Sequence, residues 1–319
     1  MSDPRSDKPA VLAVMKLPPF YVERLQRDFE LLDRLHVTDP AAFSKAAPRI
    51  RAVTGGGESL VDRELMARLP ALEMVSIMGV GYDKVDVAAA KERRIPVTHT
   101  PDVLNDEVAD LAIGLMLSVA RRLPQADRFV REGQWEQGAM PLARKMSGAR
   151  LGIVGLGRIG QAIAKRAQAF GMSIAYTSRS RKDVPHDFHA DVVSLASNVD
   201  FLVVITPGGA GTRHLIDAKV LKALGPQGYL VNVSRGTVVD EAALIRALQD
   251  GTVAGAALDV FEDEPRVPPA LRALDNVVLT PHIGSGTVQT RHAMAQLAFD
   301  NLAAHFAGRA LPTPVPECR

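Results

Sequence analysis

The sequence contains a single cysteine, Cys318. An intrachain disulfide and a cysteine-rich zinc site are both excluded. No long apolar run is present either. The most apolar stretch, Leu111–Ala120, is preceded by Asp110 and is too short to span a bilayer. Charge of one sign is also missing, because 38 basic residues nearly cancel 36 acidic ones. A net charge of +2 leaves no electrostatic footprint for nucleic acid or an anionic membrane. The 25 glycines and 21 prolines follow no three-residue period, which excludes a collagen-like chain. The start, Met1–Pro9, is polar and lacks the apolar core of a signal peptide. These absences together predict a reducing, cytoplasmic compartment and no nucleic-acid or membrane partner.

What is present is the composition of a folded α/β protein. Hydrophobic residues make up 47% and charged residues 23%, so the chain is not disordered, and its 319 residues exceed one ordinary core. Short runs rich in Val and Ile alternate with helical patterns, which predicts parallel sheets covered by helices. In the first series the predicted strands are Val11–Lys16, Ile50–Thr54, Met74–Met78 and Pro96–His99. Helical patterns lie at Phe20–Leu31, Val61–Ala67 and Asp86–Arg93. A second series follows: Leu151–Val154, Ser173–Thr177, Phe201–Thr206, Tyr229–Ser234, Gly255–Val260 and Val277–Leu279. Its runs are apolar on both faces, as in a parallel sheet with helices on each side. Between the series stands the apolar helical pattern Leu104–Arg122, and a last helix is expected from about Val288 to Phe306. No flexible linker is visible, so two packed domains with a cleft are expected.

Gly155-Leu156-Gly157-Arg158-Ile159-Gly160 directly follows one predicted strand and opens a predicted helix. In that context G-x-G-x-x-G signals a dinucleotide. The first Gly makes the turn, the second lets a pyrophosphate approach and the third lets helix and strand pack. The next strand ends in Thr177-Ser178-Arg179-Ser180-Arg181-Lys182, where NAD enzymes place a ribose-binding Asp or Glu. A carboxylate would repel a 2′-phosphate, whereas Arg and flanking hydroxyls bind one. The expected cofactor is therefore NADP(H).

Asn232-Val233-Ser234-Arg235-Gly236, Asp259–Pro265 and Thr280-Pro281-His282-Ile283-Gly284 each close a predicted parallel strand. Ligands bind at that carboxyl edge of open α/β sheets. Arg235, Glu264 and His282 suit one reaction there, reduction of a carbonyl beside a carboxylate. His282 supplies a proton, Glu264 favours and orients the charged imidazole, and Arg235 holds the substrate and polarises its ketone. Taken singly, Arg235 reads equally as a strand-end salt-bridge residue, Glu264 as part of an acidic turn and His282 as a structural histidine. The other seven histidines are read as structural or surface residues. His186 and His189 lack accompanying carboxylates or thiolates, so no metal site is expected.

Taken as an ordered set, these motifs resemble the D-isomer-specific 2-hydroxyacid dehydrogenases. Gly79-Val80-Gly81-Tyr82-Asp83 and Thr100-Pro101-Asp102-Val103-Leu104 match the same family, so the resemblance covers essentially the whole chain. It implies a Rossmann-type doubly wound cofactor domain inserted into a flavodoxin-like catalytic domain, with the active site in the cleft. Residues 1–100 and 287–319 would bind substrate, and 101–286 would bind NADP. The resemblance assigns Arg235, Glu264 and His282 as the catalytic residues. It places the backbone at Val80 and Gly81, with Arg235 and His282, around the substrate. Around the cofactor it places Gly155, Gly157, Arg158, Ile159, Gly160, Ser178, Arg179, Ser180, Thr206, Pro207, Val233, Asp259, His282 and Gly284, with Asp259 at the nicotinamide carboxamide. It further implies a homodimer through the helix near Leu104, with an arm over Gln125–Lys145 that carries Trp135 to the partner. Ser178-Arg179-Ser180 is similar to the NADP-preferring glyoxylate/hydroxypyruvate reductases and the hydroxyphenylpyruvate reductases. NADPH-dependent reduction of small 2-keto acids is thus expected. Reduction of bulkier 2-keto acids stays open, as does a dinucleotide-sensing role of the co-repressor type.

Overall fold

The computed structural model describes residues 8–318. The polar start, Met1–Pro9, therefore lies outside the described residues up to Asp7. The chain divides into two compact units. One runs to Leu104 and resumes at Thr287; the other is Asn105–Gly286.

The first unit holds strands β1 (Ala10–Ala13), β2 (Glu30–Asp33), β3 (Ile50–Gly56), β4 (Met74–Met78) and β5 (Val97–Thr98). They form one parallel sheet in the order β2-β1-β3-β4-β5, the flavodoxin-like order. Register sets Val53 beside Val75 and Val75 beside Val97. β1, β4 and β5 are buried along their whole length, which requires cover on both faces. Part of that cover is the helix Val288–Phe306, which packs on β4. Asp62 and Asp86 start the two short helices Arg63–Ala67 and Val87–Glu92. Each carboxylate accepts an N–H from the first turn, at 2.8 Å.

One helical expectation ends early. The pattern Phe20–Leu31 yields the helix Pro19–Asp28, after which Phe29 is extended and Glu30–Asp33 becomes β2. Leu31 and Leu32 pair with Val11 and Leu12 at the sheet edge, and that pairing wins over helical continuation.

The second unit holds β6 (Arg150–Val154), β7 (Ser173–Thr177), β8 (Asp187–Phe188), β9 (Phe201–Val204), β10 (Tyr229–Asn232), β11 (Gly255–Leu258) and β12 (Val277–Leu279). All pair in parallel, in the order β12-β11-β10-β9-β6-β7-β8. The order reverses between β6 and β9, as in a Rossmann-type doubly wound sheet. One face of the sheet is sealed by Leu195, Leu202, Leu221, Leu230, Leu244 and Leu258. The helix Asn105–Arg121 packs on β10, β11 and β12 and on the helix Arg158–Gln168. Ala112, Leu115 and Met116 on this helix are buried, whereas Leu111 and Leu117 are half-buried.

Among the described residues, no helix is long and apolar enough to cross a membrane.

Candidate active site

Every element that approaches the site in the second unit does so from the carboxyl end of a strand. β6 leads into Gly155, whose φ of +104° is open to glycine. A Cβ there would stand 2.7 Å from the Ile205 carbonyl oxygen. Gly157 caps the helix Arg158–Gln168 without a side-chain hydrogen bond, and a Cβ added to it would meet nothing within 4 Å. Gly160 sits against the Gly155 carbonyl oxygen, and any side chain would collide with it. The three glycines thus serve as turn, open cradle and close helix–strand contact. A helix N-terminus with an open glycine before it suits an anion such as a pyrophosphate. Thr206 follows β9 close to Gly155, and Thr212 Oγ1 donates to the Pro207 carbonyl at 2.8 Å. Val233 is buried beyond β10.

The loop after β7 is built around hydroxyls. Ser178 Oγ donates to the Ser180 carbonyl at 2.6 Å, and the Lys182 N–H donates to the buried Tyr176 phenol at 2.7 Å. Arg179 and Ser180 are exposed at its tip, and Arg179 makes no ion pair among the described residues. A cation held ready in this way suits a 2′-phosphate.

Beyond β10, Asn232 is buried and shapes the turn. Its Oδ1 accepts from the Ser234 N–H at 3.0 Å and from Ser234 Oγ at 2.7 Å, while its Nδ2 donates to the Arg235 carbonyl at 2.9 Å. The Arg235 guanidinium donates to the Ser234 carbonyl at 2.9 Å. Gly236 lies against the backbone of Phe261, so that any Cβ would clash with the loop beyond β11.

That loop carries Glu264. Its Oε1 accepts the Phe261 N–H at 3.0 Å, and its Oε2 meets His282 Nδ1 at 2.7 Å. A carboxylate only accepts, so this contact places a proton on Nδ1. The His282 side chain is 35% exposed and that of Glu264 is 23% exposed. Burial pushes the Glu264 carboxyl up. The His282 hydrogen bond and charge, the Phe261 N–H and the charge of Arg235 outweigh it and hold the group below the ordinary carboxylate range.

His282 itself has φ +52°, a left-handed conformation uncommon for a residue with a side chain. The clamp that holds it there is Asp259, 1% exposed. The Asp259 carboxylate accepts from Thr280 Oγ1 at 2.7 Å and from the N–H groups of Ile283 and Gly284, both at 2.8 Å. The Asp259 carbonyl accepts the His282 N–H at 2.8 Å. Burial raises the Asp259 carboxyl above its ordinary value, against the pull of these donors. The carboxamide role implied for Asp259 did not reveal this duty, which needs the loop to fold back over β11.

Glycine loop, Arg235, Glu264 and His282 are thus brought to one sheet edge of one unit. Val80 and Gly81 follow β4 in the other unit. A cavity of about 260 Å³ lined by Val119, Arg122, Tyr229 and Asn276 lies at the opposite, amino-terminal edge of β10–β12 and is no part of this site. Among the described residues, no group of three His, Cys, Asp or Glu side chains is placed to hold a metal. His214 pairs with Glu262, His292 stacks on Phe20 and His305 meets Glu73.

A glycine cradle for a dinucleotide beside an imidazole–carboxylate pair defines a dehydrogenase of the nicotinamide class. Residues 113–284 match the family model described as D-isomer specific 2-hydroxyacid dehydrogenase, NAD binding domain. The chain belongs to the D-isomer-specific 2-hydroxyacid dehydrogenases. It is 55% identical to glyoxylate/hydroxypyruvate reductase A of Arabidopsis thaliana, over 96% of this chain and 98% of that protein. It is 49% identical to hydroxyphenylpyruvate reductase of Plectranthus scutellarioides, over 96% and 98% respectively. Among solved structures, it is similar to the NADPH-dependent glyoxylate/hydroxypyruvate reductase of Sinorhizobium meliloti in complex with NADP and malonate. That likeness has a TM-score of 0.91 and 46% identity, and covers 98% of each chain.

Proposed function

We propose that this chain reduces glyoxylate and hydroxypyruvate to the corresponding 2-hydroxy acids, of D configuration where chiral, with NADPH. The observation that carries this reading is the 2.7 Å bond between Glu264 and His282 on the sheet edge that also bears the glycine cradle. The relatives named above support the substrate class and the cofactor.

Gly155, Gly157 and Gly160 would hold the pyrophosphate on the helix that starts with Arg158 and Ile159. Ser178, Arg179 and Ser180 would hold the 2′-phosphate. Thr206, Pro207, Val233, Asp259 and Gly284 would line the rest of the cofactor site. The nicotinamide, when bound, supplies the hydride. His282 Nε2 gives a proton to the carbonyl oxygen as negative charge builds there. Glu264 keeps the imidazole oriented through Nδ1 and stabilises its charged form. Arg235 binds the substrate carboxylate and polarises the ketone. In the first unit, the backbone N–H groups of Val80 and Gly81 would also bind the substrate carboxylate. In this reading residues 101–286 form the NADP domain, with the compact unit itself starting at Asn105, and residues 1–100 and 287–319 bind substrate.

A homodimer in a cytoplasmic, reducing compartment completes the proposal. Leu123, Val130, Trp135 and Leu142 are exposed along one short segment, with Leu142 fully bare. A second copy covering them would remove that apolar surface from water. The helix Asn105–Arg121 is weaker support than its sequence suggests, because most of its apolar residues are already buried in the single chain.

Hydroxyphenylpyruvate reduction is the second reading, favoured by the 49% relative. A panel of 2-keto acids assayed with NADPH and NADH tests both. Glyoxylate and hydroxypyruvate should give the highest kcat/KM, with NADPH. Higher kcat/KM for arylpyruvates would select the second reading, and no turnover of any 2-keto acid would reject both.

A further inference from the structure

Within the first unit, β4 ends in the turn Gly79-Val80-Gly81-Tyr82, and two of its carbonyls are drawn back into the protein. The Gly79 carbonyl accepts the Thr100 N–H at 2.8 Å. The Val80 carbonyl is bonded to Nδ1 of His99 at 3.0 Å. A carbonyl only accepts, so this contact places the proton on Nδ1. The same imidazole stands edge-on to the Tyr82 ring, with centroids 5.3 Å apart and planes at 86°. One side chain therefore grips both flanks of Gly81.

His99 is itself held firmly. It is 9% exposed. Its N–H donates to the Thr313 carbonyl at 3.2 Å, and Thr313 Oγ1 donates back to the His99 carbonyl at 2.6 Å. Thr313 is locked by the buried Asn301, which accepts the Thr313 N–H at 3.0 Å and donates from Nδ2 to Oγ1 at 2.7 Å. With the carbonyls of Gly79 and Val80 tied back, the N–H groups of Val80 and Gly81 meet no acceptor among the described residues. Two successive unpaired N–H groups beside a glycine form a concavity suited to an anion.

We propose that His99 is a positioning residue for substrate binding: by holding the Val80 carbonyl and the Tyr82 ring, it fixes the Val80–Gly81 peptide so that its N–H groups receive the substrate carboxylate. The inference rests on the reading of Val80 and Gly81 given above. His99 touches neither the reacting carbonyl nor the cofactor in this scheme. It acts through the backbone, so its loss should weaken binding of the keto acid and leave the chemical step nearly intact.

The test is steady-state glyoxylate reduction by the full-length wild type, His99→Leu and His99→Asn, with NADPH affinity from fluorescence titration. Asn presents an amide N–H near the place of Nδ1, whereas Leu presents none. His99→Leu should raise the KM for glyoxylate roughly five- to thirtyfold, as expected for a lost hydrogen bond in a binding cradle. Its kcat should stay within about threefold and its NADPH affinity should be unchanged. His99→Asn should recover most of the lost affinity. A wild-type KM in His99→Leu, equal KM rises in both variants, or a fall in kcat without a rise in KM would overturn the assignment. Should His99→Leu fail to fold, the ¹⁵N spectrum of histidine-labelled wild type decides, with His99→Asn identifying the signal. A protonated Nδ1 that shifts on adding glycolate supports the role, and a protonated Nε2 with a bare Nδ1, or no shift, overturns it. A wild type inactive on every 2-keto acid would instead overturn the proposed function itself.

Discussion

The pairing of His282 with Glu264 has consequences in both stability and rate. Glu264 ionises below its ordinary value of 4.5 in the folded chain. A carboxylate with a depressed folded value stabilises the fold above the unfolded value and loses that contribution as pH falls through the folded one. Glu264→Gln should therefore lower the thermal midpoint at neutral pH, and the gap to wild type should close as acid takes the pH below 4.5 and through the depressed folded value. Melting curves at several pH values check this. In catalysis, the same substitution removes the charge that favours protonated His282. The alkaline fall-off of keto-acid reduction should move to lower pH in the variant, as read from its pH–rate profile. Ser178 and Arg179 carry the cofactor preference. Ser178→Asp with Arg179→Ala removes a charge-assisted contact and adds a repulsive charge. NADPH affinity should drop at least roughly ten- to a hundredfold, with NADH gaining ground, as measured by titration with both dinucleotides. At this scale the sequence showed which residue types meet at the strand ends. It did not show the clamp on His282, because Asp259 and Gly284 lie 25 residues apart and meet only through the folded loop.

Among the elements, the glycine loop separates folding from binding. Gly157→Ala has room for its methyl and an ordinary φ, so the melting midpoint should hold while NADPH binding weakens. Gly160→Ala drives a methyl into the Gly155 carbonyl oxygen, so it should cost about 1–3 kcal/mol of stability as well as affinity. Thermal melts and dinucleotide titrations of the two variants give the contrast. The strands legible to the residue were Met74–Met78 and Ser173–Thr177, which lie inside their sheets, and the edge strand Val277–Leu279, which is apolar throughout. Glu30–Asp33 was hidden because a half-exposed edge strand carries no apolar run and continues the pattern of the helix before it. Asp187–Phe188 is two residues long and pairs only with β7, too little to leave a periodic signal.

For the whole molecule, the exposed segment Leu123–Leu142 sets the expectation for assembly. Light scattering at micromolar concentration should give twice the 34.3 kDa chain mass, and Trp135→Ala with Leu142→Ser should weaken association. A monomer mass in the wild type would leave that surface without its proposed cover. Parallel pairing follows from the alternation of apolar runs and helical patterns, whereas the two strand orders were legible only through the family resemblance, and assembly depends on side-chain exposure that periodicity does not reveal. The account as a whole depends on one claim, that the His282–Glu264 pair delivers a proton to a 2-keto acid reduced by NADPH. The direct measurement is glyoxylate turnover in wild type and His282→Ala, with NADPH binding measured on the same samples. The account predicts turnover in the wild type, a loss of about 10²–10⁴-fold in the variant, and unchanged NADPH affinity. Near-normal turnover by His282→Ala would contradict it.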